Sequence, residues 1–365
     1  MISLFFVHTP YHLLLASGIA LAKKNSNTNV LVIYRDFEFD DSYFEKSASL
    51  YRKTLVLFGN LDHSKSGLLG KLSYQRLFFR NIRRIKELFR KEGVAKIYVF
   101  NDQRVENKKA MQFCTDSRNC KVTYVEDGSA VYSSSSSPRK HANSIVQEMK
   151  RIIYCLNEPA DSSAILGSSK LINEQVVLFP ELVRTELTKR KVTELTAEEL
   201  TASIRFLFGS VIDKIDSLEY SVVIFLDLYD FVSCFIDRYM AVITSIIYLC
   251  KNMNKTVYVK YHPREEKKYA SHLQSFSERV YFIDKTIPSE AVNCKCERKV
   301  IFIGSLSTSL ITASKISKDV LRVSIMKLLS LEDKNLRMVF ERLGVMIPEN
   351  QEELFGLIED FFMAR

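Results

Sequence analysis

The chain has 365 residues, of which 47% are hydrophobic and 26% charged, the balance of an ordinary globular interior and surface rather than a disordered or fibrous chain. That length predicts two domains, each with a core of its own. Lys and Arg number 52 against 43 Asp and Glu, a formal charge of +9, which suits nucleic acid, anionic lipid or an anionic small substrate and selects none of them.

In chain order, the first 22 residues hold no Lys, Arg, Asp or Glu. They also lack a basic leading region, and His8, Pro10 and His12 interrupt the apolar run, so they read as a buried strand, a turn and a helix rather than a signal peptide. Runs rich in Val, Ile, Phe and Tyr recur at residues 2–7, 29–34, 54–58, 96–100 and 122–125, each read as a buried strand. Between them lie helical patterns. The clearest puts Ile82, Ile85, Leu88 and Phe89 on one face and Arg83, Arg84, Lys86, Arg90 and Lys91 mostly on the other. The serine run 133–137 reads as a surface loop.

A charged, Thr-rich stretch over 184–203 is predicted helical. After it the pattern restarts, with strands predicted at 222–226, 256–261, 280–283 and 299–303. Strand and helix alternation predicts parallel sheets covered on both sides. The fold class is therefore α/β, two Rossmann-like domains facing a central cleft, assigned to residues 1–185 and 205–345. The tail 346–365 carries Leu354, Leu357, Ile358, Phe361 and Phe362 at helical spacing, to pack back on the first domain or to join a second copy as a homodimer. The apolar stretch 239–250 is shorter than the roughly 20 residues needed to cross a bilayer. Seven cysteines show no metal-site spacing and are expected to be reduced thiols in a cytoplasmic protein.

Ligands of doubly wound sheets bind at the carboxyl ends of the strands, so polar strand ends are the candidate sites. Four stand out: His8-Thr9-Pro10, Glu126-Asp127-Gly128, His262-Pro263 and the segment from Gly304 to Ser309. Adjacent carboxylates before a glycine suit a general base, because like charge and partial burial raise one pKa; a solvated turn with a helix cap has the same sequence. His262, among Lys260, Arg264 and Glu265, suits an imidazole facing phosphate, or a structural histidine. The hydroxyls Ser307 and Thr308 at a helix start suit an anion, or a simple N-cap. No Asp-x-Asp stands at a strand end, which disfavours a metal-dependent transferase.

In combination these motifs are more specific. Glu126-Asp127-Gly128, His262-Pro263 and Ser307-Thr308 follow the order and domains of bacterial sialyltransferases. The opening His8-Thr9-Pro10-Tyr11-His12-Leu13-Leu14-Leu15-Ala16 further resembles the family of lipooligosaccharide and capsule sialyltransferases, over roughly residues 1–315. The resemblance implies a GT-B type glycosyltransferase with an acceptor-side first domain and a second domain holding a CMP-activated sialic acid. It implies an inverting transfer to a terminal sugar, galactose first among candidates, with no cofactor and no metal.

By the same resemblance, Glu126 is the general base, with Asp127 supporting it or replacing it. His262 meets the CMP phosphate and stabilises or protonates the leaving group. Ser307 and Thr308 hydrogen-bond that phosphate, Glu290 takes the ribose hydroxyls, and Gly128, Pro263, Lys260 and Gly304 complete the donor set. His8, Thr9 and Pro10 lie on the acceptor side, and Asp227 or Asp230 is an alternative base. Glu290 also reads as a plain helix-start acid. Rival readings are transfer of another CMP-linked acidic sugar such as Kdo, synthesis of a sialic acid polymer, and nucleic-acid binding. The last is disfavoured because the basic helix lacks interleaved exposed aromatics. That helix allows peripheral contact with anionic lipid at the inner face of a bacterial membrane, where a glycolipid or oligosaccharide acceptor would be met.

Overall fold

Uninterrupted runs such as Phe5-Phe6-Val7 and Val30 to Tyr34 have no polar side to turn to water, so they pair into sheets covered on both faces. In the computed structural model, the residues described are 1–23, 28–36, 41–62, 67–117, 119–133, 151–156, 165–213, 218–265, 269–276, 278–285, 287–296, 298–317 and 319–364. They form two units, Met1–Ser203 and Ile204–Arg365.

In the first unit, β1 (Ile2–Val7), β2 (Asn29–Tyr34), β3 (Lys53–Leu57), β4 (Val94–Val99), β5 (Lys121–Val125), β6 (Glu174–Val177) and β7 (Lys191–Glu194) form one sheet in the order β3-β2-β1-β4-β5-β6-β7. All its pairings are parallel. Helix α1 (Pro10–Ala22) starts immediately after β1, because the Thr9 hydroxyl caps the backbone N–H of His12 and Pro10 sets the first helical φ. Helices α2 (Asp41–Ala48), α3 (Gly67–Lys91) and α4 (Val105–Asp116) follow. The strand order reverses between β1 and β4, which makes their carboxyl ends the expected binding edge.

The second unit opens within α5 (Ala197–Ile212) and contains β8 (Ser221–Phe225), β9 (Thr256–Lys260), β10 (Val280–Ile283), β11 (Val300–Gly304) and β12 (Val320–Ser324). Its sheet is also parallel, in the order β10-β9-β8-β11-β12, so its reversal lies between β8 and β11. The short helix α6 (Tyr229–Val232) leads into α7 (Ile236–Asn252); α8 (Ser289–Asn293), α9 (Thr308–Ile316), α10 (Lys334–Arg342) and α11 (Gln351–Met363) complete the unit.

Several expectations are corrected. The stretch 184–203 is not one helix: it holds β7, and α5 begins only at Ala197 behind a reciprocal cap between Thr196 and Glu199. The boundary between the units, after Ser203, falls in the stretch left between the two assigned domains. The tail helix α11 buries Leu354, Ile358 and Phe362 in the core of the second unit, beside α7. Cys114 and Cys120 form a disulfide across the turn from α4 to β5, where their Cα atoms lie 5.1 Å apart, so not all seven cysteines are free thiols. Ser133 is buried rather than part of a surface loop, and 134–137 lie outside the described residues. Residues Tyr229–Asn252 together are long and apolar enough to cross a bilayer by length and composition. Tyr239, Ile243, Ile246, Ile247 and Cys250 from this run nevertheless belong to the core of the second unit, and a core helix passes the same test.

Candidate active site

At the end of β5, the two acidic residues have different surroundings. Glu126 is 1% exposed and its carboxylate accepts from the Tyr11 hydroxyl (2.7 Å), the Tyr132 hydroxyl (2.6 Å) and the Leu178 backbone N–H (2.7 Å). Three donors satisfy a buried carboxylate and tie the ends of α1, β5 and β6 together. The Asp127 side chain is 28% exposed, and its Oδ1 lies 2.8 Å from His12 Nε2. Gly128 follows in the left-handed region, φ 60°, where only glycine sits without strain.

His12 is buried on α1, stacked on Phe100 with ring centroids 4.6 Å apart. Its Nδ1 accepts the His8 backbone N–H at 3.3 Å, so the ring proton of the neutral form sits on Nε2 and is donated to Asp127. His8 is itself fixed: Asn107 Nδ2 donates to its Nε2 at 2.8 Å, which leaves Nδ1–H for Asp36 at 3.1 Å, and its ring stacks on Tyr34 at 4.3 Å. Burial, with the Arg104 guanidinium nearby, lowers the His8 pKa to about 4, so the ring is neutral at pH 7. Arg104 pairs with both Asp36 and Glu106.

In the second unit, Asp227 follows β8 at the strand-order reversal. Its Oδ2 accepts the Ser305 hydroxyl at 2.6 Å, and burial raises its pKa to about 6. Its backbone carbonyl accepts the Tyr269 hydroxyl, and its N–H donates to the Tyr239 hydroxyl. Across the sheet, His262 Nδ1 accepts the Arg264 backbone N–H at 3.2 Å, which leaves Nε2–H as a donor. Burial, then Arg264 and Lys260, lowers the His262 pKa to about 4. Lys260 is 3% exposed; burial lowers its pKa to about 8, against the pull of Glu290 and Asp284.

After β11, Ser307 is the N-cap of α9 and accepts the Ser309 N–H at 3.2 Å, so the plain capping reading of this residue is realised, and Thr308 opens the helix. Gly304 leaves room for this turn, since a Cβ there would lie 3.1 Å from Ser307 Cβ. Glu290 on α8 is buried beside Thr312, its pKa raised by burial.

The structure thus gathers His8, Thr9, Pro10, Glu126, Asp127 and Gly128 at one rim of the first unit. Lys260, His262, Asp227, Gly304, Ser307 and Thr308 lie at the equivalent strand ends of the second. Pro263 and Asp230 are exposed, and Asp230 stands apart on α6. Tyr132 lies outside every motif read from the sequence, while Tyr11, His12 and Ser305 lie inside motifs that gave them no role of their own. Tyr11 and His12 fall inside the N-terminal motif, but only the cap geometry of α1 shows which way they face. Among the described residues no group of three or more His, Cys, Asp or Glu could hold a metal ion.

Two parallel α/β units, each with polar groups at its strand-order reversal, define the GT-B-like class. Solved structures share this fold. UDP-GlcNAc 2-epimerase from Methanocaldococcus jannaschii is 12% identical, covers 100% of this chain and 94% of its own, and has a TM-score of 0.60. The Neisseria meningitidis UDP-GlcNAc 2-epimerase is 13% identical, with full coverage of both chains and a TM-score of 0.52. Os79 from O. sativa, solved with UDP, is 12% identical, with 99% and 91% coverage and a TM-score of 0.56. No curated protein sequence matches. The alpha-2,8-polysialyltransferase family profile matches residues 3–323, and the chain belongs to that family. It is a glycosyltransferase with sialyltransferase activity.

Proposed function

We propose that the protein transfers sialic acid from CMP-N-acetylneuraminic acid to the terminal sugar of a bacterial surface glycan, with inversion and without a metal. The observation that carries this reading is the division of labour in the acidic pair. Glu126 is enclosed by three donors, whereas Asp127 reaches solvent with its carboxylate held by His12. Asp127 is therefore the proposed base, and Glu126, the first expectation from sequence, is the residue that fixes the turn.

In the proposed reaction Asp127 takes the proton of the acceptor hydroxyl, the oxygen attacks the anomeric carbon, and CMP departs from the opposite face. Charge developing on the leaving phosphate is met by the His262 Nε2–H, the Lys260 cation and the first amides of α9. These donors support a reaction that needs no metal. A phosphate beside His262 would raise its pKa from about 4, drawing the imidazole toward proton donation as the leaving group forms. Glu290 is the proposed ribose contact.

The family's own description favours a terminal sialic acid as acceptor over galactose, which makes chain extension the second reading. The cytoplasmic face of the membrane is the proposed location, with the exposed side of α3 as the surface that meets anionic lipid.

Asp127→Asn should lower transfer by about 10² to 10⁴ while leaving CMP affinity unchanged. Glu126→Gln should instead act mainly on stability, because a neutral amide exchanges the charge-assisted bonds from Tyr11, Tyr132 and the Leu178 N–H for weaker neutral ones, at about 1 kcal/mol. Wild-type transfer by Asp127→Asn would remove Asp127 as the base.

A further inference from the structure

We infer that His12 is the positioning residue of the active-site carboxylate, holding Asp127 through a proton whose place is fixed by the backbone of His8. This rests on the reading of Asp127 as the base.

A neutral imidazole carries one N–H, and an N–H donor already faces His12 Nδ1 from His8, so Nδ1 must be the unprotonated nitrogen. The remaining proton lies on Nε2, 2.8 Å from Asp127 Oδ1, and His12 donates to one chosen oxygen of the carboxylate. The ring cannot swing away. It is 1% exposed, stacked on Phe100 at an interplanar angle of 17°, and carried on α1 immediately after the Thr9 cap.

The peptide that sets the tautomer is anchored in turn. His8 is gripped by Asn107 on one ring nitrogen and Asp36 on the other, with Tyr34 stacked beneath. A line of fixed groups therefore runs from the ends of β2 and α4 through His8 and His12 to Asp127. The bond from His12 sets where one oxygen of the Asp127 carboxylate lies. That placement matters because misplacing a reacting group by about 1 Å can cost about 10²-fold in rate. His8 thereby acquires a role other than contact with the acceptor.

The test compares three substitutions in the full-length protein. His12→Gln places an amide N–H near the position of Nε2; His12→Asn carries the same amide one methylene short; His12→Phe keeps the ring and its stacking and removes the donor. Sialic acid transfer from CMP-N-acetylneuraminic acid is measured with lactose and sialyllactose, alongside CMP affinity and thermal midpoint. The expected result is a fall in kcat of about 10²-fold in His12→Phe and His12→Asn. At least tenfold of this loss should return in His12→Gln, with CMP affinity unchanged in all three.

A merely structural histidine predicts the opposite order, with His12→Phe best tolerated and losses that follow the thermal midpoint; that order overturns the inference. Should His12→Phe fail to fold, the comparison of Gln with Asn still decides, since equal loss in both excludes a reach-dependent bond. Asp127→Asn separates the two levels of the argument. Full transfer in that variant removes the base and the inference together, whereas its collapse beside wild-type transfer in His12→Phe removes the inference alone.

Discussion

At the scale of single residues, burial decides which of two like groups is available for chemistry. Glu126 and Asp127 are adjacent and both anionic by type, yet one is enclosed by hydrogen-bond donors and the other opens to solvent. Gly128 makes that division possible by adopting φ 60° directly after the pair. Gly128→Ala should cost about 1 kcal/mol of stability and turn Asp127 away from His12, lowering transfer more than it lowers CMP affinity. Unchanged kinetics in a soluble Gly128→Ala protein would show that the turn has no part in placing the carboxylate. On the donor side, His262→Ala should abolish acceptor-dependent CMP release, since it removes the Nε2–H while Lys260 stays buried nearby.

At the scale of elements, α3 separates its two faces sharply. Tyr74, Phe78, Asn81, Ile85 and Leu88 turn inward or lie partly covered, whereas Arg76, Arg80, Arg83, Arg84, Lys86, Arg90 and Lys91 are exposed with Glu87 the one acid among them. Phe79 is exposed on the same face at 49%, against the expectation that it carries no aromatic. One ring does not make the series of stacking platforms that single-stranded nucleic acid requires. Replacing Arg83, Arg84, Lys86 and Arg90 by Gln should abolish flotation with vesicles containing anionic lipid, at roughly 1 kcal/mol per charge, and leave transfer to a soluble acceptor intact. Flotation that survives the four substitutions would assign membrane contact elsewhere.

The strands with uninterrupted apolar runs were legible because both of their faces are covered. β6 and β7 were not. Glu174-Gln175-Val176-Val177 and Lys191-Val192-Thr193-Glu194 lie toward the edge of the sheet, where charged side chains can reach water and the apolar signal fades. β7 hid inside a charged stretch whose composition suits a helix equally well. The motif residues at strand ends were visible in the sequence, as was the cap at Ser307. What could not be read was orientation: that Tyr11 points at Glu126, or that His12 rather than His8 meets the acidic pair, follows from packing between segments more than 100 residues apart.

At the scale of the whole molecule, the two units carry different responses to acid. The folded His8 titrates near pH 4 and an unfolded histidine near 6.5, so below 6.5 the unfolded chain binds the proton first and stability of the first unit falls as pH drops toward 4. The full shift corresponds to roughly 3 kcal/mol. His262 acts in the same direction in the second unit. Carboxyls raised by burial oppose the histidines, Asp102 in the first unit and, in the second, both Glu290 and Asp227. The Asp227 pKa of about 6 lies above the unfolded value, so its protonation stabilises the folded state as pH falls below 6. The first unit should therefore be the first to open between pH 6 and 4, detectable as hydrogen exchange in β1 and α1 before β8 and β11. Earlier exchange in the second unit would contradict this balance.

The most direct test of the account is release of CMP and transfer of sialic acid, measured together from CMP-N-acetylneuraminic acid in the presence of chelator. Lactose and sialyllactose are offered in turn to the wild-type protein, Asp127→Asn and His262→Ala. The account predicts chelator-resistant CMP release that rises with acceptor, yields a sialylated product, and collapses in both variants. Release that needs a divalent cation, that occurs only with a CMP-sugar other than sialic acid, or that persists in both variants would contradict it.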